Sequence, residues 1–147
     1  VLSSPLRRAL DTARVALPGI EPELRPELAE WDYGDYEGIT TAEIRQSVPD
    51  WTVWRYGARG GESVEAVGAR VDPLVAELRE AREDVAIFSH GHLLRVLTAR
   101  WLELPPTEGR RFVLDTGTIS ILGWERETQA LLRWNEPLED IVSPGGA

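Results

Sequence analysis

The residues of this chain best suited to chemistry are its two histidines, and both sit in one tetrapeptide, Ser89-His90-Gly91-His92. The residues before it, Val85-Ala86-Ile87-Phe88, are apolar and include two β-branched side chains. They read as a short buried strand. After it, Leu93, Leu94, Val96, Leu97, Trp101 and Leu102 recur at helical spacing. Strand, tight polar turn and helix place both imidazoles where a strand C-terminus meets a helix N-terminus, the usual ligand position of open α/β sheets. Unpaired N–H groups and the positive end of the helix favour an anion there. A histidine at that point can meet a phosphate, or it can simply cap the helix.

Two further segments carry candidate groups. Ser4-Pro5 reads as a helix start, with Ser4 as N-cap and Pro5 at the first helical position. The helix continues through Leu6, Leu10, Ala13 and Leu17 and stops before Pro18-Gly19. Arg7 and Arg8 fall in its first turn, where cations are disfavoured. The pair therefore points to an anion shared with the helix end, with a pair of solvated surface arginines as the alternative. The second segment runs from Leu28 to Gly38. It sets Trp31, Tyr33 and Tyr36 among Glu30, Asp32, Asp35 and Glu37 without a clean period. It reads as the wall of a site or as a surface loop stapled down by its aromatics.

The remaining elements must position these groups. Glu21 to Pro26 reads as an exposed connection, Thr41 to Val48 as a short helix, and the stretch with Trp51, Trp54 and Tyr56 as irregular. A helix opens at Ser63, its N-cap, with Val64, Val67, Val71, Leu74, Val75 and Leu78 as its apolar stripe. Pro73 inside it predicts a kink or a broken turn. Pro105-Pro106 ends the helix after His92. Arg111 to Leu114, Thr118 to Trp124 and Thr128 to Asn135 read as strands, the last two as a hairpin across Glu125-Arg126-Glu127. The tail from Ile141 to Ala147 reads as loose. Helices alternating with strands indicate an α/β three-layer sandwich: a mostly parallel sheet with helices on both faces and an antiparallel C-terminal edge. Residues 1–147 are expected to form a single domain.

Composition sets limits. A net charge of −9, from 25 acidic against 16 basic residues, argues against nucleic acid or an anionic membrane as partner. The chain has no cysteine, hence no disulfide or thiolate chemistry. Every basic residue is arginine, so lysine chemistry is excluded. No apolar run approaches the length of a membrane span, and cytoplasm is the default location.

Taken together, the motifs resemble a known family. Ser4-Pro5-Leu6-Arg7-Arg8-Ala9-Leu10-Asp11-Thr12-Ala13 is similar to the Ser-Pro-x-x-Arg-Ala-x-x-Thr-Ala segment of the histidine phosphatases, the phosphoglycerate-mutase-like superfamily. Leu28-x-Glu30 with Gly34 and Glu37-Gly38 resembles that family's acid-bearing loop, Gly60-Gly61-Glu62-Ser63 its Gly-Glu-Ser turn, and Ser89-His90-Gly91-His92 its second-histidine motif. The four lie in the family order and cover nearly the whole chain. The wording Leu28-Ala29-Glu30-Trp31-Asp32-Tyr33-Gly34 is most similar to acid phosphatases of this superfamily from actinobacteria. The resemblance implies hydrolysis of a small phosphomonoester through a phosphohistidine, with inorganic phosphate as product and no metal or other cofactor. It implies that Arg8 holds the phosphate and that His90 donates hydrogen bonds to its equatorial oxygens. Glu30 would act as general acid and then base, its pKa raised by aromatic neighbours. Tyr33, Gly91 and His92 would line the substrate side.

The sequence departs from the family in one respect. The family's nucleophile lies in an Arg-His-Gly motif near its N-terminus, and no such motif occurs here. With no methionine at its start, the sequence reads as lacking the first strand and its crossover helix, roughly 30 residues. The chain by itself is therefore expected to be inactive. The sheet edge so exposed invites pairing with a second copy. Mutases of the family carry a lysine eleven residues after the acid and paired arginines in a lid. Here that position is Thr41, and no two arginines are adjacent between Glu30 and His90. A phosphatase is favoured, with a mutase and a non-catalytic phosphate-binding fragment as alternatives.

Overall fold

The computed structural model describes residues 1–138. Its centre is a three-stranded parallel sheet of very short strands: β1 (Leu2–Ser3), β2 (Glu23–Leu24) and β3 (Ile87–Phe88), in the order β2-β1-β3. Leu2 pairs with Ile87 and Ser3 with Phe88, so β1 and β3 end side by side. Around the sheet lie α1 (Arg7–Ala16), α2 (Thr41–Ser47), α3 (Val53–Tyr56), α4 (Val64–Glu80) and α5 (Gly91–Trp101). A hairpin of β4 (Thr118–Glu125) and β5 (Thr128–Pro137) follows. This is the expected α/β architecture. Among the described residues the hairpin is a two-stranded sheet of its own. It is anchored to α5 by Trp101, which stacks edge-on against Trp124 and donates its indole N–H to the Gly123 carbonyl at 3.2 Å.

Helix ends follow their capping chemistry. Thr40 and Glu43 form a reciprocal capping box on α2, and Ser63 accepts the Ala66 amide at the start of α4, as expected. The helix α4 runs unbroken through Pro73, so the expected broken turn is absent. Pro73 lies on the exposed side, while Val67, Val71, Leu74 and Val75 flank it in the core. Their burial outweighs the roughly 3 kcal/mol that an interior proline costs.

Four segments differ from the sequence reading. α1 starts at Arg7 with Leu6 as N-cap, later than Ser4-Pro5 implied. Residues before proline avoid the helical region, and the Ser4 hydroxyl is engaged by His90. β2 lies inside the stretch read as a connection; both its residues are exposed, so it has no apolar pattern to detect. β3 is half-buried instead of buried, and Val85 is 38% exposed, because β3 forms an edge of the sheet. Arg111 belongs to a 3-10 turn, Pro106–Arg111, and residues 112–114 join no sheet. That turn is held by Arg95, which donates to the Gly109 and Arg110 carbonyls at 3.1 and 3.0 Å. A smaller difference is the single turn α3 within the stretch read as irregular. The tail read as loose lies outside the described residues.

The loop bearing Glu30 is pressed onto the turn before α4 with no space between their backbones. A Cβ on Gly61 would lie 2.2 Å from the Asp32 carbonyl oxygen and 2.7 Å from the Gly34 amide. Both neighbours are backbone and cannot swing away. Gly61→Ala is therefore expected to destabilise the fold by about 1–3 kcal/mol, the usual cost of overpacking. Urea unfolding followed by tryptophan fluorescence measures this; an unchanged midpoint would contradict the close approach.

Candidate active site

The parallel pairing of β1 and β3 delivers Ser4 and His90 to one point. His90 is the N-cap residue of α5, in extended backbone geometry, and is 6% exposed. Its side chain makes no capping bond. Its Nδ1 accepts a hydrogen bond from Arg8 Nε at 3.1 Å, and its Nε2 lies 2.8 Å from the Ser4 hydroxyl. Arg8 and His90 are thus in direct contact at the strand C-termini. The two arginines of α1 separate. Arg7 is solvent-exposed and pairs with Asp11 at 3.2 Å, so only Arg8 reaches the pocket, and the expected sharing of an anion by both does not hold. Among the described residues no carboxylate forms an ion pair with Arg8.

The cap of α5 comes from Glu30. Its Oε1 accepts the Leu93 amide at 3.1 Å and the Trp31 amide at 2.9 Å. Burial pushes the Glu30 carboxyl above its ordinary pKa, against the lowering effect of these amides and of Arg8. Burial thus makes this carboxyl a better proton holder than a free one. Trp31, expected to help desolvate it, is fully buried.

Glu30 is held from behind by Arg70, which the sequence reading did not single out, and by Glu62, which it named in a motif without a partner. Arg70 on α4 forms a two-pronged ion pair with Glu62, both contacts 2.8 Å, and donates to the Glu27 and Ala29 carbonyls at 2.8 and 2.9 Å. Glu62 also accepts the Asp32 amide at 3.0 Å. The Trp31 indole donates to the Glu62 carbonyl at 3.0 Å. The Gly-Glu-Ser turn is thus a clamp on the acid loop. The available signal was the carboxylate within that motif and an arginine two helical turns beyond it.

His92 faces the other side of the α5 N-terminus. Its Nδ1 meets the Tyr33 hydroxyl at 2.5 Å, and its ring stands edge-on to Trp31, Tyr33 and Trp54 at centroid distances of 6.1, 5.8 and 5.4 Å. Arg95 stacks on the far aromatic, its guanidinium 4.7 Å from the Trp54 ring centre. A cleft of about 480 Å³ opens beside His92 and Tyr33, bordered by Ile39, Trp51, Thr52 and Trp54. Gly91 is exposed at the first turn of α5, and a side chain there would meet nothing within 4 Å.

Comparisons with known proteins identify the family. The histidine phosphatase superfamily (branch 1) matches residues 1–137. The chain belongs to that superfamily. It is 47% identical over 133 residues to an acid phosphatase of Mycobacterium tuberculosis, a match covering 89% of this chain and 65% of that protein. The solved structure of a Mycobacterium tuberculosis open reading frame superimposes with a TM-score of 0.86 at 45% identity, covering 92% of this chain and 71% of the other. A mycobacterial glucosyl-3-phosphoglycerate phosphatase in complex with inorganic phosphate gives 0.78 at 32% identity, covering 93% and 76%. The chain therefore spans just under two thirds of the length of the acid phosphatase it matches. Among the described residues no helix is long and apolar enough to cross a membrane.

Both histidines of this chain are held neutral. Burial, then the Arg8 guanidinium, pushes His90 down to about 4. Burial, then Arg95, pushes His92 down to about 4. An unfolded histidine titrates near 6.5. Below that pH the unfolded chain binds protons that the fold refuses, so stability contributed by these residues is present above pH 6.5 and is lost as pH falls towards 4. Replacing both by asparagine should flatten the fall of melting temperature between pH 7 and pH 4.5. A double variant with the wild-type slope would show that neither is buried in neutral form.

Proposed function

We propose that this chain supplies the phosphate-binding and proton-transferring groups of a phosphomonoester hydrolase of the acid-phosphatase kind. The observation that carries this reading is the contact of Arg8 with His90 at the N-terminus of α5, with the half-buried Glu30 carboxyl capping the same helix end. Arg8 binds the phosphate: its planar fork matches an oxyanion, and its charge is permanent. His90 donates to the phosphoryl oxygens, where charge spreads in a loose transition state. Glu30 protonates the leaving oxygen as the P–O ester bond breaks, and afterwards removes a proton from the water that attacks the phosphoenzyme. Tyr33, Gly91 and His92 border the space for the leaving group.

The phosphoryl group needs a nucleophile, and we assign that role to a histidine outside this chain. Both ring nitrogens of His90 are engaged, by Arg8 and Ser4, and Nδ1 of His92 by Tyr33. A residue that clamps the equatorial oxygens cannot also attack in line. Thr41 in place of the mutase lysine supports hydrolysis over phosphoryl relay between substrate positions.

Two measurements test the proposal. Inorganic phosphate or vanadate should bind the isolated chain, and Arg8→Ala should weaken binding by about 1–3 kcal/mol, the worth of a hydrogen bond to a charged group; equal affinities by calorimetry would remove Arg8 from the site. The chain alone should not turn over p-nitrophenyl phosphate. Supplied with an N-terminal segment carrying Arg-His-Gly it should, and Glu30→Gln should then lower turnover by about 10²–10⁴-fold. That loss should be greater for alkyl phosphates, whose leaving groups need the proton. A phosphohistidine trapped at His90 or His92 would overturn the assignment of the nucleophile.

A further inference from the structure

Ser4 is completely buried, as is its neighbour Ser3, at the end of the central strand of the sheet. A buried hydroxyl needs hydrogen-bond partners, and those of Ser4 are specific. Its oxygen accepts the Leu6 amide at 3.1 Å and lies 2.8 Å from Nε2 of His90. On the opposite side of the same imidazole stands Arg8, whose guanidinium can only donate. The Arg8 Nε–H therefore requires a bare lone pair on Nδ1. A neutral imidazole with a bare Nδ1 carries its proton on Nε2, and the group that receives that proton is the Ser4 hydroxyl.

We propose that Ser4 is a positioning residue that fixes His90 as the Nε2–H tautomer and turns Nδ1 towards Arg8 and an incoming oxyanion. The consequence for ligand binding rests on the phosphate-site reading above. Arg8 and Nδ1 satisfy one another in the structure. An oxyanion that takes the Arg8 guanidinium leaves Nδ1 with a lone pair facing negative charge. Nδ1 must then pick up a proton from solvent, forming an N–H bond and an imidazolium that donates to the anion. Ser4 remains the acceptor for Nε2–H in both states, so the ring need not turn. The charged groups packed around this imidazole are Arg8 from α1 and Glu30, whose carboxyl sits at the first amides of α5.

The test uses ¹⁵N-histidine NMR of the intact chain, where only two imidazoles contribute and His92→Gln assigns them. At pH 7 without ligand, His90 of the wild type should show the shifts of a protonated Nε2 and a bare Nδ1. Ser4→Thr should keep that pattern. Ser4→Ala leaves a buried Nε2–H without an acceptor and should move the population towards the Nδ1–H form. Ser4→Cys, a weaker acceptor of nearly the same size, should give an intermediate shift, so a failure of Ser4→Ala to fold does not remove the test. Saturating sulfate at pH 6 should convert wild-type His90 to the doubly protonated form, and the Ser4→Ala form to a lesser degree. A wild-type ring protonated on Nδ1, or an Nε2–H pattern unchanged in both Ser4→Ala and Ser4→Cys, overturns the proposal. If the tautomer behaves as stated but sulfate and phosphate leave every spectrum unchanged, the assignment to Ser4 stands and the phosphate-site reading fails.

Discussion

Everything at the site depends on the parallel pairing of β1 with β3. It covers only two register positions, with flanking hydrogen bonds of 2.8 Å from Leu2 to Ala86 and from Ser4 to Phe88. Parallel strands leave a sheet at the same edge, so two segments 86 residues apart emerge together as Ser4 and His90. Strands this short have little intrinsic stability. Their register is held by α1, which packs on both, and by the covalent geometry of the turns that start α1 and α5. A slip of one residue would turn His90 away from Arg8, because side chains alternate between faces.

Glu30 is the second element of the design, and it is held at both ends. Its carboxyl caps α5, while the carbonyls just before it are gripped by Arg70 of α4. The loop thus bridges the two helices that form much of the core. The Arg70 charge is matched by Glu62 in a bidentate pair, so the clamp fixes geometry and adds little net field at Glu30. The fork matters: a guanidinium can serve a carboxylate and two carbonyls at once, which an ammonium on a flexible stem does poorly. The tight contact of Gly61 with the Asp32 carbonyl lets this network close without an intervening side chain.

The sequence revealed elements where periodicity or capping chemistry was strong. α4 with its apolar stripe, α5, the short helix read from Thr41 and the hairpin all follow from local pattern. β2 did not, because two exposed residues carry no alternation. The strand read at Arg111–Leu114 failed because Arg95, remote in sequence, supplies the donors that close a 3-10 turn there. At the site, Arg8, Glu30, His90, Tyr33 and His92 were legible as chemical groups in motifs, and the structure brings them to the two sides of one helix end. Ser4 was read as a helix cap, a correct guess about its hydroxyl's talent for hydrogen bonding that missed its main partner. No local pattern encodes a contact across 86 residues. Arg70 stayed hidden for the same reason, and Glu62 was legible only as a member of its motif, without its partner.

The charge balance of the pocket unites binding with proton transfer. The chain as a whole repels anions, with a net charge of −9. The histidines are neutral, so the permanent charges are Arg8 beside His90 and Arg95 on the His92 side, and Arg8 is opposed by Glu30 when that is ionised. An ionised Glu30 also occupies an amide of α5 and cancels part of the helix-end field that would otherwise favour an anion. A protonated Glu30 leaves Arg8 unopposed. On the proposed reading, the state that best receives a phosphate dianion is therefore the state in which the acid already holds the proton that the leaving group needs. Binding of the dianion further raises the proton affinity of Glu30 by like-charge repulsion. One half-buried carboxyl at a helix N-terminus then couples substrate capture to its own protonation.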